Sequence, residues 1–518
     1  MTMTSRLTRR RFMQSTATAA LLPLLGGTLP ALAQDASNLV VRTDLDIGNL
    51  DPANRSNSCD EAILRATMQG LVTFKPGSLD WELDAAKSIT QVSDTEITFE
   101  LNPGQMFTDG HGELTADDVK FTYERYITPD ASGALPAYAG DFSALDKVEV
   151  TGTYTGRILL KNPAPAFWVL GLCDAGGVIL SRKAVEAMGD GIKTKAVGSG
   201  PYLLSEWQTG QQIVLSRNPG YTGPHPGSFE KITIKPISDP RAALLSLLAK
   251  EVVWSEVETT DEPQVQGVDG IVPFATPRID YTWIGMNVEK GALADIRVRQ
   301  AIRLAIDVDM IIAGAYQGTV EPARALLAPS LLGYWADAPA YTRDVAAAQA
   351  LLAEAGQTGL TLTFTTLNDP TYQATAQIVQ ANLAEVGINV TINAMDPGAF
   401  YAMGADDLSK DLELTLNFFL GKNDPAFQTV WFTTPQIGQW NWQRWSNAEF
   451  DQMDSEAAAT IDPAVRAEKY VRAQQLMDES AAFVWITHGK FVMGTAAGVT
   501  PAVMPAGTGW QFHRFALA

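Results

Sequence analysis

DVAAAQALLAEAGQTGLTLTFTTLNDPTYQATAQIVQANLAEVGINVTI, residues 344–392, is the stretch whose reading decides the fold. Asp344 is placed to cap a helix over Ala346–Ala355, and Gly356 lies just past its end. Leu360, Leu362 and Phe364 then alternate with threonines, which predicts a strand with one buried face. Ala374–Val386 forms a second helix closed by Gly387, and Ile388, Val390 and Ile392 alternate again. Helix, strand, helix and strand at these lengths contain a βαβ unit. The fold class expected is therefore α/β, with largely parallel strands.

Upstream, DIRVRQAIRLAIDVD (residues 295–309) reads as one amphipathic helix. Asp295 is its N-cap, Val298, Ala301, Ile302, Ala305 and Ile306 recur at helical spacing, and Arg297, Arg299 and Arg303 keep the other faces polar. Downstream, residues 462–480 predict a further long helix. Toward the N-terminus the signals are a strand from Leu39 to Ile47, a polar turn at Asn54–Ser58 and a helix opening at Asp60. A strand at Ile97–Leu101 and a helix start at Thr115 follow, with Asp118 close to a capping-box position. Gly198, Ser199 and Gly200 mark a turn, because neither a following helix nor a Lys-Ser/Thr pair supports a phosphate loop. Ile213–Leu215 enter a strand. No internal repeat and no low-complexity segment is visible.

At 518 residues, 46% of them hydrophobic and 19% charged, the chain has the composition of a soluble globular protein of two or three subdomains. Its first 33 residues read as an export signal. Arg9, Arg10 and Arg11 precede Phe12, a weakly apolar run spans Ala17–Leu25, and Ala31-Leu32-Ala33 offers cleavage after Ala33. Pro23, Gly26, Gly27 and Pro30 interrupt the apolar stretch that a membrane anchor needs. A periplasmic location is therefore expected.

The chain holds 38 basic and 58 acidic residues; removing four arginines with the leader leaves 34 against 58, a formal charge of −24. Nucleic acid and anionic membranes, which need a basic patch, are poor partners for such a surface. Cys59 and Cys173 are the two cysteines, either bridged in an oxidising compartment or buried as free thiols. Catalytic readings find little support. The four histidines, His111, His225, His488 and His513, are scattered without metal-ligand spacing, so no metal or cofactor is expected. No G-x-S-x-G elbow is present, and nothing singles out a carboxylate pair for glycoside hydrolysis.

Six runs, taken in order, resemble the extracytoplasmic solute-binding proteins of ABC importers, specifically the dipeptide, oligopeptide and nickel-binding family. They are PGQMFTDGHGELTADDVKFTYER (103–125), VGSGPYLLSEW (197–207), RVRQAIRLAID (297–307), YTRDVAAAQALLAEAG (341–356), IVQANLAEVGINV (378–390) and RWSNAEFDQM (444–453). The resemblance implies a two-lobed periplasmic-binding-protein fold of type II, with an extra subdomain in the first lobe. The first lobe would comprise residues 34–280 and 489–518, with the insert at about 75–196, and the second lobe residues 281–488. The chain would cross between lobes near Arg278–Asn287 and again near Ile486–Phe491, making a hinge. The implied partners are a small or peptide-like ligand and the importer's membrane permease. A monomer is expected.

The resemblance puts ligand contacts on loops at the strand ends. Candidates are Asn54 and Arg55 in the polar turn, Trp283 and Asn287 at the first crossing, Asn368 before a helix, and Phe419, Lys422, Asn423 and Asp424 in a second such loop. Trp431 and Trp440 are the favoured members of an aromatic-rich stretch that also holds Phe418, Phe432, Trp442 and Trp445. Each alternatively serves loop packing, capping or the core. Helix-start N–H groups near Asn368 and Asn423 are candidates for holding an anionic group. Two departures stand out. The Asp with which peptide binders of the family hold an α-amino group, four residues before Pro425, is here Gly421. The loop Thr365–Thr371 also lacks the Arg that holds a dipeptide carboxylate. Ordinary dipeptide binding is therefore not expected, and Lys422 is placed to offer a cation to an acidic ligand. The competing readings are a secreted hydrolase, or a chaperone or signalling receptor of the same fold.

Overall fold

The stretch 344–392 folds as the helix Val345–Glu354, the strand Thr361–Leu367, the helix Pro370–Glu385 and the strand Asn389–Met395. Asp344 caps the first helix by accepting from Ala347 N at 2.9 Å, and Gly356 and Gly387 follow the two helices with φ of +70° and +84°. The two strands pair in parallel from Thr361 with Asn389 to Leu367 with Met395. The second helix begins four residues earlier than the periodicity implies. Pro370 occupies its first turn and the Asp369 carboxylate accepts from Thr371 N and Tyr372 N. The structure is a computed structural model and describes residues 37–504, 507 and 509–518. The expected export signal and its cleavage site after Ala33 lie outside the described residues.

These two strands belong to a five-stranded sheet in the order Asn389–Met395, Thr361–Leu367, Leu414–Phe419, Tyr281–Met286, Phe483–Thr487. Its first three strands are parallel, and Tyr281–Met286 runs antiparallel to both neighbours. All six residues of Tyr281–Met286 are buried because both faces of the sheet are covered. On one face Ile284 and Met286 pack with Val298, Ala301, Ile302 and Phe364. On the other, Tyr281 and Trp283 pack with Phe432, Tyr470, Phe483 and Trp485.

The stretch 295–309 is two helices, Ile296–Ala305 and Val308–Gly314, where the sequence reads as one. Ile306 is extended, and Asp307 caps the second helix by accepting from Met310 N. Arg299 is also not on a polar face. It is buried and donates to the carbonyls of Leu293, Ala294 and Ser480 at 2.8–3.1 Å.

A seven-stranded sheet has the order Ile271–Pro277, Lys490–Ala496, Trp254–Val257, Asn38–Thr43, Lys231–Pro236, Gln212–Arg217, Tyr202–Gln208. Only the pairs made by Asn38–Thr43 are parallel, so the largely parallel arrangement expected from the second half does not extend here. A four-stranded antiparallel sheet is made by Ala86–Ser93, Glu96–Leu101, Thr155–Leu160 and Leu145–Gly152. It has its own core around Tyr123, Tyr126, Phe142 and Phe167. Cys59 and Cys173 are free, buried thiols in two different cores, so no disulfide joins them.

The chain passes between the two large sheets twice. It leaves the seven-stranded sheet at Pro277 and enters the five-stranded one at Tyr281, then leaves that sheet at Thr487 and returns at Lys490. The crossings touch: Gly489 O accepts from Arg278 N at 3.4 Å, and His488 Nδ1 lies 3.1 Å from Asp280 O.

Candidate ligand-binding site

Two cavities meet where the chain crosses. One, of about 380 Å³, is floored by the crossings themselves, with Arg278, Asp280, His488 and Gly489 in its lining. Glu256, Val257 and Glu258, at the end of a strand of the seven-stranded sheet, form one wall. Thr282, Phe418, Asp369 and Tyr372 form the other. The second cavity, of about 410 Å³, is lined by Tyr401, Phe418, Phe419, Leu420, Phe427, Trp431 and Trp440. Phe418 lies in both, so a mostly apolar, aromatic chamber adjoins a charged one.

Local sequence explains why these rings stay available. Strand Leu414–Phe419 ends at Phe419, whose ring packs edge-on against the buried Trp283 (5.1 Å) and against Trp440 (5.7 Å). Helix Pro425–Thr429 carries Phe427, which packs edge-on against Trp431 at 5.4 Å, and Trp431 packs likewise against Trp440 at 6.3 Å. The edge-to-face contacts fix each ring while leaving one side open to the cavity. Leu420 stands 66% exposed at its mouth.

In the charged chamber, Arg278 Nη2 lies 2.7 Å from Glu256 Oε1 and Arg278 Nη1 3.8 Å from Asp280 Oδ2. Lys490 Nζ is 2.6 Å from Glu262. Burial pushes the carboxyls of Glu256 and Asp280 above the usual range, against the pull of Arg278 on both and of the Gly421 N–H on Asp280. Burial lowers His488 to about 4, so its ring is neutral at pH 7.

The sequence-predicted residues divide by burial. Phe419, Trp431 and Trp440 line the aromatic cavity. Trp283 is 1% exposed, held in the core between Phe419, Phe432 and Trp485, and presents no face to either cavity. Asn287 is buried, with its amide donating to Leu412 O at 2.9 Å. Asp424 is 2% exposed; it caps Pro425–Thr429 and accepts two hydrogen bonds from Arg466 at 2.7 and 2.8 Å. Arg55 is buried against Glu61 at 2.9 Å and Asp174 at 3.0 Å. Asn54 donates to Asp51 and accepts from Ala137 N. Asn368 is exposed and bonded to Asp396 and Gln373. Asn423 is half-buried in the loop just before the capping Asp424.

Two expectations need correction. Lys422 does not project into open cleft: its Nζ lies 2.5 Å from Asp141 Oδ1. The helix-start N–H groups near Asn368 and Asn423 are not open to an anion, because Asp369 and Asp424 already accept from them. Gly421 is also explained. A Cβ there would lie 2.3 Å from the carbonyl oxygen of Ile279 in the first crossing, so no side chain fits.

Residues 80–439 match the profile of the family described as bacterial extracellular solute-binding proteins, family 5 Middle. The chain belongs to this family. It is similar to a probable D,D-dipeptide-binding periplasmic protein of Escherichia coli (strain K12), 28% identical with 86% of this chain and 88% of the relative covered. It is also similar to the glutathione-binding protein GsiB of Shigella dysenteriae serotype 1, 26% identical over 95% and 97% of the two chains. Among solved structures, HbpA2 from Haemophilus parasuis superposes with a TM-score of 0.85 at 22% identity, covering 93% of this chain and all of that one. The fold of this family 5 protein is thus the two-lobed type II periplasmic-binding-protein fold, and its role is solute binding.

What the sequence reading missed in this solute-binding protein lies mostly far along the chain from the loops it favoured. Tyr401 and Phe427 stand in helices, where an aromatic ordinarily signals core. Glu256, Glu258 and Asp280 are brought to Asp369 only by sheet topology. No spacing in the sequence announces that meeting.

Proposed function

We propose that this family 5 protein captures a small organic solute in the paired cavities and delivers it to the membrane permease of an ABC importer. The strand order supports lobe boundaries at the two crossings, residues 278–280 and 488–489, with those segments as the proposed hinge. The observation that carries the reading is the junction of an aromatic chamber with a charged one, at the only two points where the chain passes between its large sheets among the described residues. A ligand that touches both walls favours the closed state by that difference in contact and needs no covalent chemistry. The fitting ligand places a bulky apolar group among Phe419, Trp431 and Trp440 and polar groups against Arg278, Asp280 and Asp369. The D,D-dipeptide- and glutathione-binding relatives make a peptide-like solute the first class to test. The leader read in the sequence and the periplasmic relative support export to the periplasm as part of this reading.

A thermal-shift screen of peptides, opines, sugars and chelators tests this. One class is expected to raise the unfolding temperature in a saturable way, by mass action on the closed state. Turnover of any ligand by the purified protein would instead favour the hydrolase reading.

A further inference from the structure

Beside the aromatic chamber Arg55, Glu61 and Arg65, together with Asp141 and Asp174, form a cluster of buried charge that is incomplete on its own. Asp174 bridges Arg55, at 3.0 Å, and Arg65; Arg55 also pairs with Glu61 at 2.9 Å and stands 3.8 Å from Asp141. These residues supply three acids, Glu61, Asp141 and Asp174, against two bases, Arg55 and Arg65. The side chains of Arg55, Arg65 and Asp141 are at most 6% exposed. The cluster is thus one positive charge short, and a buried unpaired carboxylate is costly. Lys422 supplies that charge from the far side of the cleft. Its ammonium meets Asp141 at 2.5 Å and lies 5.7 Å from the ring centroid of Tyr138 and 4.9 Å from that of Phe427. A carboxylate with two aromatic faces around it is a site for an alkylammonium ion.

We infer that Lys422 is a built-in cation: it fills an alkylammonium site formed by Asp141, Tyr138 and Phe427, and so denies that site to ligands. Phe427 is a wall shared with the aromatic chamber. A solute seated there finds the neighbouring carboxylate already neutralised. Lys422 therefore selects for solutes that carry no ammonium group at the Phe427 end, and its removal opens a cation subsite. The selectivity rests on the solute-binding reading above; the cation site itself does not.

The test is chemical rescue. Lys422→Ala removes three methylenes and the ammonium, the atoms of n-propylammonium. Added n-propylammonium is expected to raise the unfolding temperature of Lys422→Ala in a saturable way, by about 2 °C or more, and to leave wild type unmoved. n-Propanol, which lacks the charge, is expected to have no effect. The effect should vanish in Asp141→Asn/Lys422→Ala, whose cluster needs no added cation. If Lys422→Ala does not fold unaided, the yield of folded protein on refolding with n-propylammonium against n-propanol reads the same quantity. Equal responses of wild type and Lys422→Ala, or an undiminished response in the double variant, would overturn the inference. Neither result depends on whether wild type carries a solute, so a failed rescue and a failed transport reading are told apart.

Discussion

Gly421 shows how a single position carries both fold and specificity. Its N–H donates to Asp280 Oδ1 at 3.0 Å, and the first crossing passes so close that a Cβ would overlap the Ile279 carbonyl. Gly421→Ala is therefore expected to lower the unfolding free energy by about 2 kcal/mol through forced displacement of the crossing, measured by urea denaturation. The absence of an acidic side chain at this position was legible in the sequence; its cause was not, because Ile279 is distant along the chain. The same holds for Trp283, Asn287 and Asp424. Their residue types fit a binding loop, but burial against partners from other strands and helices makes them structural. Asp84 offers a test through pH. Buried, and accepting from Gln69 and from Gly70 N at 3.0 Å each, it is pushed from 3.8 up to about 7 by burial. Its contribution to stability is fully present below about pH 3.8 and is lost as the pH rises through about 7. Asp84→Asn abolishes that loss, so between pH 4 and pH 8 its stability relative to wild type should rise by about 4 kcal/mol. A constant difference across that range would contradict the assignment.

At the scale of elements, the sequence was most readable where caps and periodicity agree. Asp344 and Asp295 both cap the helices they were expected to cap, and Asp462, read as the first residue of a long helix, is its N-cap. The capping role of Thr115 and Asp118 likewise appears, with the Asp118 carboxylate accepting from Thr115 N and its hydroxyl at 3.0 and 2.8 Å. Periodicity failed where it ran on through a break: the apolar spacing of 295–309 continues across Ile306, yet Asp307 starts a new helix there. Nor does periodicity tell a buried arginine from an exposed one. Arg299 joins the end of the short turn Gly291–Ala294 to Ser480, beyond the helix Pro463–Glu479, by donating to three carbonyls. Arg299→Met keeps the side-chain length and removes those donors. It should cost about 3 kcal/mol in chemical denaturation, since carbonyls buried without a partner are expensive. Binding at the distant cavities should be unchanged.

For the molecule as a whole, α/β patterning gave the class of the second-half sheet, and the family resemblance supplied the two-lobed arrangement. Which strands share a sheet was not legible, because the seven-stranded sheet gathers segments from residue 38 to residue 496. That gathering creates the cleft. With the five-stranded sheet, it sets the ends of Trp254–Val257 and Leu414–Phe419 on either side of the two crossings, and places the aromatic chamber beside them. The central claim is that a solute is held there, with Trp431 and Trp440 as its apolar anchors. Loss of both rings should weaken binding about 30-fold or more while leaving the fold intact, since two large contact surfaces vanish and the core stays filled. Native mass spectrometry of the purified protein tests this most directly. Wild type is expected to carry one small organic molecule, released on denaturation, and Trp431→Ala/Trp440→Ala to carry none at the same concentration. An unladen wild type, or a double variant that retains the molecule undiminished, would contradict the account.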